Sequence, residues 1–359
     1  MPDKDDDFAA LQLGIERVLL GGERKYTRGQ AAEKAGVTLD RASTLWRALG
    51  FATTDSDEPI FTDGDVHALQ VTVGLMDAGI IDPQTATSAA RMLGQHLSRL
   101  AEWQVHMLRS VIDANPELAA DERQLARFIE RLLPDLEQMQ SFAWRRHLAA
   151  FAGRVLAARE DFESRQQVVG FADMVGYTSL TRRASESELG ELLERFESVA
   201  STVIAENHGQ VVKMLGDEVL FIADDPVRGA TIALTLLEAA ESDDDLPPLR
   251  CGMAFGRVLG RYGDVYGSTV NLASRLTSVA RPGTVLIDIA LADELSEVDE
   301  FTVRSRRPVS VRGYSRLKPS VLRWASDEQA GLLDLAQQRA AELLGLEEDP
   351  EDRKRKKRR

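Results

Sequence analysis

The chain runs to 359 residues, 43% of them hydrophobic and 28% charged, with a formal net charge of −14. That length is enough for two ordinary domains, each with its own core, and the composition excludes a disordered or collagen-like chain. No apolar run approaches the roughly 20 residues that span a bilayer, the acidic start Met1–Asp7 has no signal-like apolar centre, and the one cysteine, Cys251, cannot close an internal disulfide, so a cytoplasmic protein is expected.

From residue 8 to about 165 the pattern is helix after helix. Apolar residues recur at three- and four-residue steps, as at Leu93, Leu97, Leu100 and Trp103. Helices are expected over Phe8–Leu20, Arg28–Ala35, Leu39–Leu49, Gly64–Ala78, Pro83–Ile112, Glu117–Leu133 and Ser141–Arg159, with Pro59, Pro83, Pro116 and Pro134 as punctuation. Tyr26–Gly50 resembles a helix-turn-helix with Gly36 at the turn. Phe61–Val66 is similar to the segment that follows the wing in MerR-type regulators. Arg41 and Arg47 supply basic residues to the second helix, but Asp40 and the acidic surroundings oppose DNA binding. A packing or regulatory role is the expectation. His67, His96, His106 and His147 also fall in this half and raise the hypothesis of a pH-responsive regulator.

From Gln166 the texture changes. Val168–Phe171 reads as a strand, and Ser185 with Glu188 has capping-box spacing that opens a helix ending at Gly209. Gln210–Lys213 and Glu218–Ile222 flank Leu215-Gly216 as a hairpin. A helix over Val227–Ala240, a strand over Leu249–Phe255, a helix over 269–279 and a strand over Thr284–Asp288 follow. Phe301–Val303 with Pro308–Val311 reads as a terminal hairpin, and Val321–Trp324 as a last strand. This order predicts one antiparallel-rich sheet with helices on one side, an α+β domain of roughly 160 residues. Three regions result: 1–160, 161–327, and a C-terminal helix (Glu328–Leu344) with basic tail over 328–359. Residues Arg353–Arg359 are all Lys or Arg, so the body is more acidic than the whole, which disfavours nucleic acid. The tail reads as a solvated terminus, with weak contact to an anionic membrane surface as its alternative.

Two segments carry candidate chemistry, Phe171-Ala-Asp173-Met174-Val-Gly176 and Lys213-Met-Leu-Gly216-Asp217. Each ends an apolar strand-like run in a carboxylate beside glycine. Alone, Asp173 and Asp217 each fit a turn residue. As a pair they are what two divalent cations need to grip a triphosphate, with a backbone carbonyl such as that of Met174 as a further ligand. A third segment, Asp264-Val-Tyr-Gly-Ser-Thr-Val-Asn271-Leu-Ala-Ser-Arg275, sets Asn271 and Arg275 on one helix face at i, i+4 spacing.

Together these segments resemble the catalytic core of class III nucleotidyl cyclases, over about residues 165–325. The motif Arg-Tyr-Gly-Asp264-Val-Tyr-Gly looks most like a soluble actinobacterial-type subgroup. The resemblance implies a ferredoxin-like α+β cyclase domain preceded by an all-α regulatory domain. It implies Asp173, Met174 and Asp217 as ligands of two Mg²⁺ or Mn²⁺ ions per site, and Lys213 and Asp264 as the base-recognising pair. It implies Asn271 as the residue orienting the ribose, Arg275 as the transition-state arginine, Arg250 as a phosphate contact and Arg312 as a contact to the terminal phosphate. A Lys donor with an Asp acceptor suits adenine, so ATP is the expected substrate and GTP the alternative. Because the family splits these two residue sets between domains, a head-to-tail homodimer is expected. A DNA-binding regulator with a nucleotide-sensing cyclase-like domain remains the other function class.

Overall fold

A computed structural model describes residues 15–51, 58–157, 164–261, 263–311 and 314–326. The chain divides into two compact units, Met1–Leu156 and Ala157–Arg359. The expected C-terminal helix and basic tail lie outside the described residues, as does most of the first expected helix.

The first unit is helical. Arg28–Lys34, Leu39–Ala48, Asp63–Asp77 and Pro83–Ala114 are opened by Thr27, Thr38, Thr62 and Asp82, whose side chains accept from backbone amides of the first turn. Gly36, at φ 75°, takes the left-handed conformation in the turn between the first two of these helices. Their core holds Ala31, Ala32, Ala42, Leu45, Trp46, Phe61, Val66 and Leu69, with Trp46 and Phe61 stacked at 4.2 Å. Where two helices were expected around Pro134, one continuous helix runs over Glu122–Ala157. Strong helix formers flank the proline, and the loss of a single backbone donor there is tolerated. Trp103, Phe142 and Trp144 on the long helices keep 61%, 66% and 62% of their surface exposed.

The second unit is built on a mixed sheet. Its strands are β1 (Ser164–Met174), β2 (Gln210–Met214), β3 (Glu218–Ala223), β4 (Leu249–Arg261), β5 (Asp264–Tyr266), β6 (Val285–Ile287), β7 (Phe301–Ser305), β8 (Val309–Val311), β9 (Tyr314–Leu317) and β10 (Ser320–Trp324). The order is β2-β3-β1-β4-β6-β10-β7, with β5 folded back on β4. Only β4 and β6 run parallel among the named pairs of this sheet.

The sheet is covered on both faces, not on one. Val168, Ala172 and Met174 pack with Phe196, Ile232 and Leu236 from helices Glu186–Glu206 and Pro226–Glu241. Val169, Phe171 and Leu220 face the other way, against Ala273 of helix Ser268–Val279. The physical reason lies in β1, where Val168-Val169-Gly170-Phe171-Ala172 is apolar at both alternations and so buries both faces. A second correction concerns the end of the unit. Phe301–Ser305 pairs with β10, Trp324 opposite Phe301 with rings 5.3 Å apart, while β8 pairs with β9 in a separate ribbon. The aromatic pair selects the distant partner over the near one. A third concerns the helix expected to end at Gly209. It stops at Glu206, His208 takes the left-handed conformation at φ 59°, and Gly209 is needed instead for space, since a Cβ there would meet Ile232 Cδ1 at 2.5 Å.

Helix Ser268–Val279 lies unusually close to β4. A Cβ on Gly252 would sit 2.1 Å from the Thr277 amide nitrogen and 2.6 Å from the Leu276 carbonyl carbon, both backbone atoms. Backbone cannot yield as a flexible side chain can, so Gly252→Ala is expected to destabilise this unit by about 1–3 kcal/mol or more. Urea unfolding of the variant against wild type checks it, and an unchanged midpoint would contradict the close packing.

Candidate active site

Asp173 stands next to last in β1, where the sheet ends. In register it lies between Glu218 of β3 and Arg250 of β4. Beyond Met174 the chain turns through Gly176 at φ 86°, a conformation that favours glycine. Asp217 comes from the tip of the β2–β3 hairpin, beside Gly216 at φ 73°. The Met174 amide donates to the Asp217 carbonyl at 2.9 Å, and the Val175 amide to the Pro248 carbonyl at 2.9 Å. These two bonds fasten the hairpin tip and the start of β4 to the end of β1. Distant stretches of sequence thus meet at one corner.

The corner is rich in negative charge. Arg250 donates from Nε to Asp173 Oδ2 at 2.6 Å, and its Nη2 lies 2.5 Å from the same oxygen. Burial raises the Asp217 carboxyl above its usual range, and the nearby Asp173 charge adds to this while Arg250 opposes it. Glu218 is pushed up to about 7, chiefly by burial and then by Asp173 and Asp217. Asp173, Asp217 and Glu218 thus gather near one guanidinium. Among the described residues no group of three or more His, Cys, Asp or Glu side chains is arranged to hold a metal by itself. Two aspartates and the Met174 carbonyl fit Mg²⁺ or Mn²⁺ only with further oxygens from substrate phosphate and water, which is how Mg²⁺ is commonly bound.

Glu218 was not singled out from the sequence. The signal was present in the alternation of β3, where Glu218, Leu220 and Ile222 share the face that also bears Asp173 and Arg250. Finding it required the register of three strands, which a single segment does not reveal.

A second group forms elsewhere in the unit. Lys213 of β2 and Asp264 at the head of β5 meet at 2.6 Å, and Asp264 Oδ1 also accepts from the Val265 amide at 2.8 Å. Gly263 at φ 75° and Gly267 at φ 134° bracket β5 and carry the chain into helix Ser268–Val279. Ala273, Leu276 and Thr277 of that helix are buried against the sheet, which turns Asn271 outward and leaves Arg275 half-buried on the flank. Among the described residues no hydrogen bond or ion pair joins Lys213, Asp264, Asn271 or Arg275 to the Asp173 corner. Arg312 lies outside the described residues.

Glu218 sets a pH dependence whose sign is fixed. Its pKa rises on folding from 4.5 to about 7, so the folded state holds a proton that the unfolded state has lost. Stability from this group is full below about 4.5, fades as pH rises, and is gone above about 7. In metal-free protein, Glu218→Gln should therefore gain on wild type across that window and level off above it. Urea unfolding at a series of pH values measures the difference, and a constant difference would refute the assignment.

Residues 162–324 match the adenylate and guanylate cyclase catalytic domain family, and residues 7–144 match the adenylate cyclase regulatory domain family. An adenylate cyclase of Streptomyces coelicolor is 47% identical, over 79% of this chain and 75% of its own length. One from Glutamicibacter nicotianae is 38% identical, over 89% of this chain and 83% of its own. A pH-sensitive adenylate cyclase of Mycobacterium tuberculosis is 31% identical, over 83% of this chain and 78% of its own.

Proposed function

The chain belongs to the class III adenylate cyclases, and we propose that it converts ATP to 3′,5′-cyclic AMP and pyrophosphate at sites shared between two copies of itself. In this reaction the 3′-oxygen bonds to the α-phosphorus, the bond to the β-phosphate oxygen breaks, and the hydroxyl proton is lost. The observation that carries the reading is the corner where Asp173 and Asp217 converge on the end of β1.

In this reading Asp173, Asp217 and the Met174 carbonyl hold two Mg²⁺ or Mn²⁺ ions, which when bound would neutralise phosphate charge and ease loss of the hydroxyl proton. Lys213 donates to adenine N1 and Asp264 accepts from the N6 amine. With no base present these two satisfy each other at 2.6 Å, so adenine replaces one good contact with two. Guanine offers the reversed donor and acceptor order and leaves a charged group mismatched. Asn271 orients the ribose, and Arg275, one turn further along the same helix, stabilises charge on the transferring phosphate. Arg250 and Arg312 contact the phosphates.

Two features support a second copy. Among the described residues of one chain, the recognition group and the Asp173 corner share no hydrogen bond or ion pair. Trp103, Phe142 and Trp144 on the long helices are large apolar side chains left exposed, of the kind a partner surface covers. Head-to-tail pairing would bring Asp173 and Asp217 of one protomer to Lys213, Asp264, Asn271 and Arg275 of its partner. No described helix is long and apolar enough to cross a membrane.

We read the N-terminal unit, 1–160, as regulatory. Arg41 donates to the Met76 sulfur and Arg47 to the Ser43 carbonyl, so both arginines of the second helix of the helix-turn-helix-like segment are engaged within their own unit. This favours packing over DNA contact. We include a pH response of this unit in the proposal, with His67, His96, His106 and His147, all exposed, as its candidate groups. Superimposable pH–activity curves for the full chain and residues 160–359 would overturn that response.

Asp173→Ala and Asn271→Ala should each lower cyclic AMP formation by about 10²-fold or more. Mixing the two inactive variants should restore activity, because one of the two sites in a mixed dimer is intact; failure of the mixture would overturn the shared site. Lys213→Glu with Asp264→Cys should shift preference towards GTP, read as the ratio of kcat/KM for the two nucleotides.

A further inference from the structure

Arg250 makes a contact that its reading as a phosphate ligand does not explain. Its cross-strand register places it opposite Asp173, so the pairing is built into the backbone. The Asp173 side chain is only 13% exposed while Arg250 keeps 32%. A carboxylate so far removed from water needs a cation, and among the described residues Arg250 is the one that touches it. Both donors converge on Oδ2, and Oδ1 accepts from no described residue. That oxygen stays available to an incoming ion while the guanidinium is still in place.

We propose that Arg250 is a stand-in counter-ion, which yields Asp173 to the divalent cation and carries its own charge to the nucleotide phosphates. This rests on the reading of Asp173 as a metal ligand. A guanidinium and a dication on one carboxylate repel each other, so the arrival of one loosens the other. The displaced guanidinium is half-buried and needs a new anion, which a triphosphate supplies in a geometry suited to its planar fork. Leu249 and Cys251 on either side are buried in β4, so the exchange is a change of rotamer on a fixed strand. Without nucleotide, Arg250 has nowhere to go, and cation binding is opposed. With nucleotide the opposition is removed, and the two ligands assist each other by equal factors.

The test is Mn²⁺ binding to the full-length protein, followed by electron paramagnetic resonance, without nucleotide. Arg250→Gln should bind Mn²⁺ roughly five- to tenfold more tightly than wild type, and Arg250→Met, closer in shape, should do the same if the glutamine variant folds poorly. The factor by which Mn²⁺ strengthens binding of 3′-deoxy-ATP, which cannot cyclise, should shrink in either variant. Asp173→Asn should lose Mn²⁺ binding. If it does, and the Arg250 variants bind Mn²⁺ no more tightly than wild type, the exchange is overturned while the metal reading stands. If Asp173→Asn keeps wild-type Mn²⁺ binding, the metal reading itself fails.

Discussion

Asp173 is a charged group at the edge of a hydrophobic core, and the surrounding architecture answers the problem this poses. Val169 and Phe171 precede it on the same face of β1, both buried, and Met174 follows it into the opposite core. Burying a carboxylate in that setting is costly unless an opposite charge lies within reach. Antiparallel pairing with β4 brings Arg250 there, and antiparallel pairing with β3 brings two more acids to the same corner. The result is a local excess of negative charge on a rigid support, which is what electrostatic recognition of a cation and a polyphosphate requires. The Lys213–Asp264 pair applies the same logic differently, since its members neutralise each other directly at 2.6 Å.

Much of this was legible in the sequence because it is local. The capping box at Ser185, the glycine turns at Gly36 and Gly216, and the i, i+4 spacing of Asn271 and Arg275 are each written within a few residues. The cyclase family was legible for a related reason, as its motifs are short and sit at strand ends. What escaped was non-local. Which strand Phe301 would choose depended on Trp324, and whether the sheet would be covered on one face or two depended on helices from both halves of the unit. Glu218 was hidden because its significance comes from two neighbours on two different strands. Pro134 misled because a helix of this length absorbs one missing hydrogen bond.

The two units divide the physical work. The second unit buries large aliphatic and aromatic residues on both faces of a sheet and exposes its chemistry at strand ends and one helix flank. The first unit has a smaller alanine-rich core, and its two long helices carry exposed aromatic residues. Small residues allow close helix approach, as at Gly94, where a Cβ would meet the Leu49 carbonyl oxygen at 2.3 Å. Such a core is compact but limited in area.

The contact at Gly252 has a mechanical consequence. At Gly252 helix Ser268–Val279 meets β4 main chain against main chain, with no side chain between them at that point to rotate or compress. Strand and helix therefore move as one stiff body. Asn271 and Arg275 ride on one side of that body and Arg250 is part of the other, so a small rotation of β4 shifts all three together without slack. A regulator acting on this enzyme need not reach any of the three side chains. It has only to tilt the block that carries them.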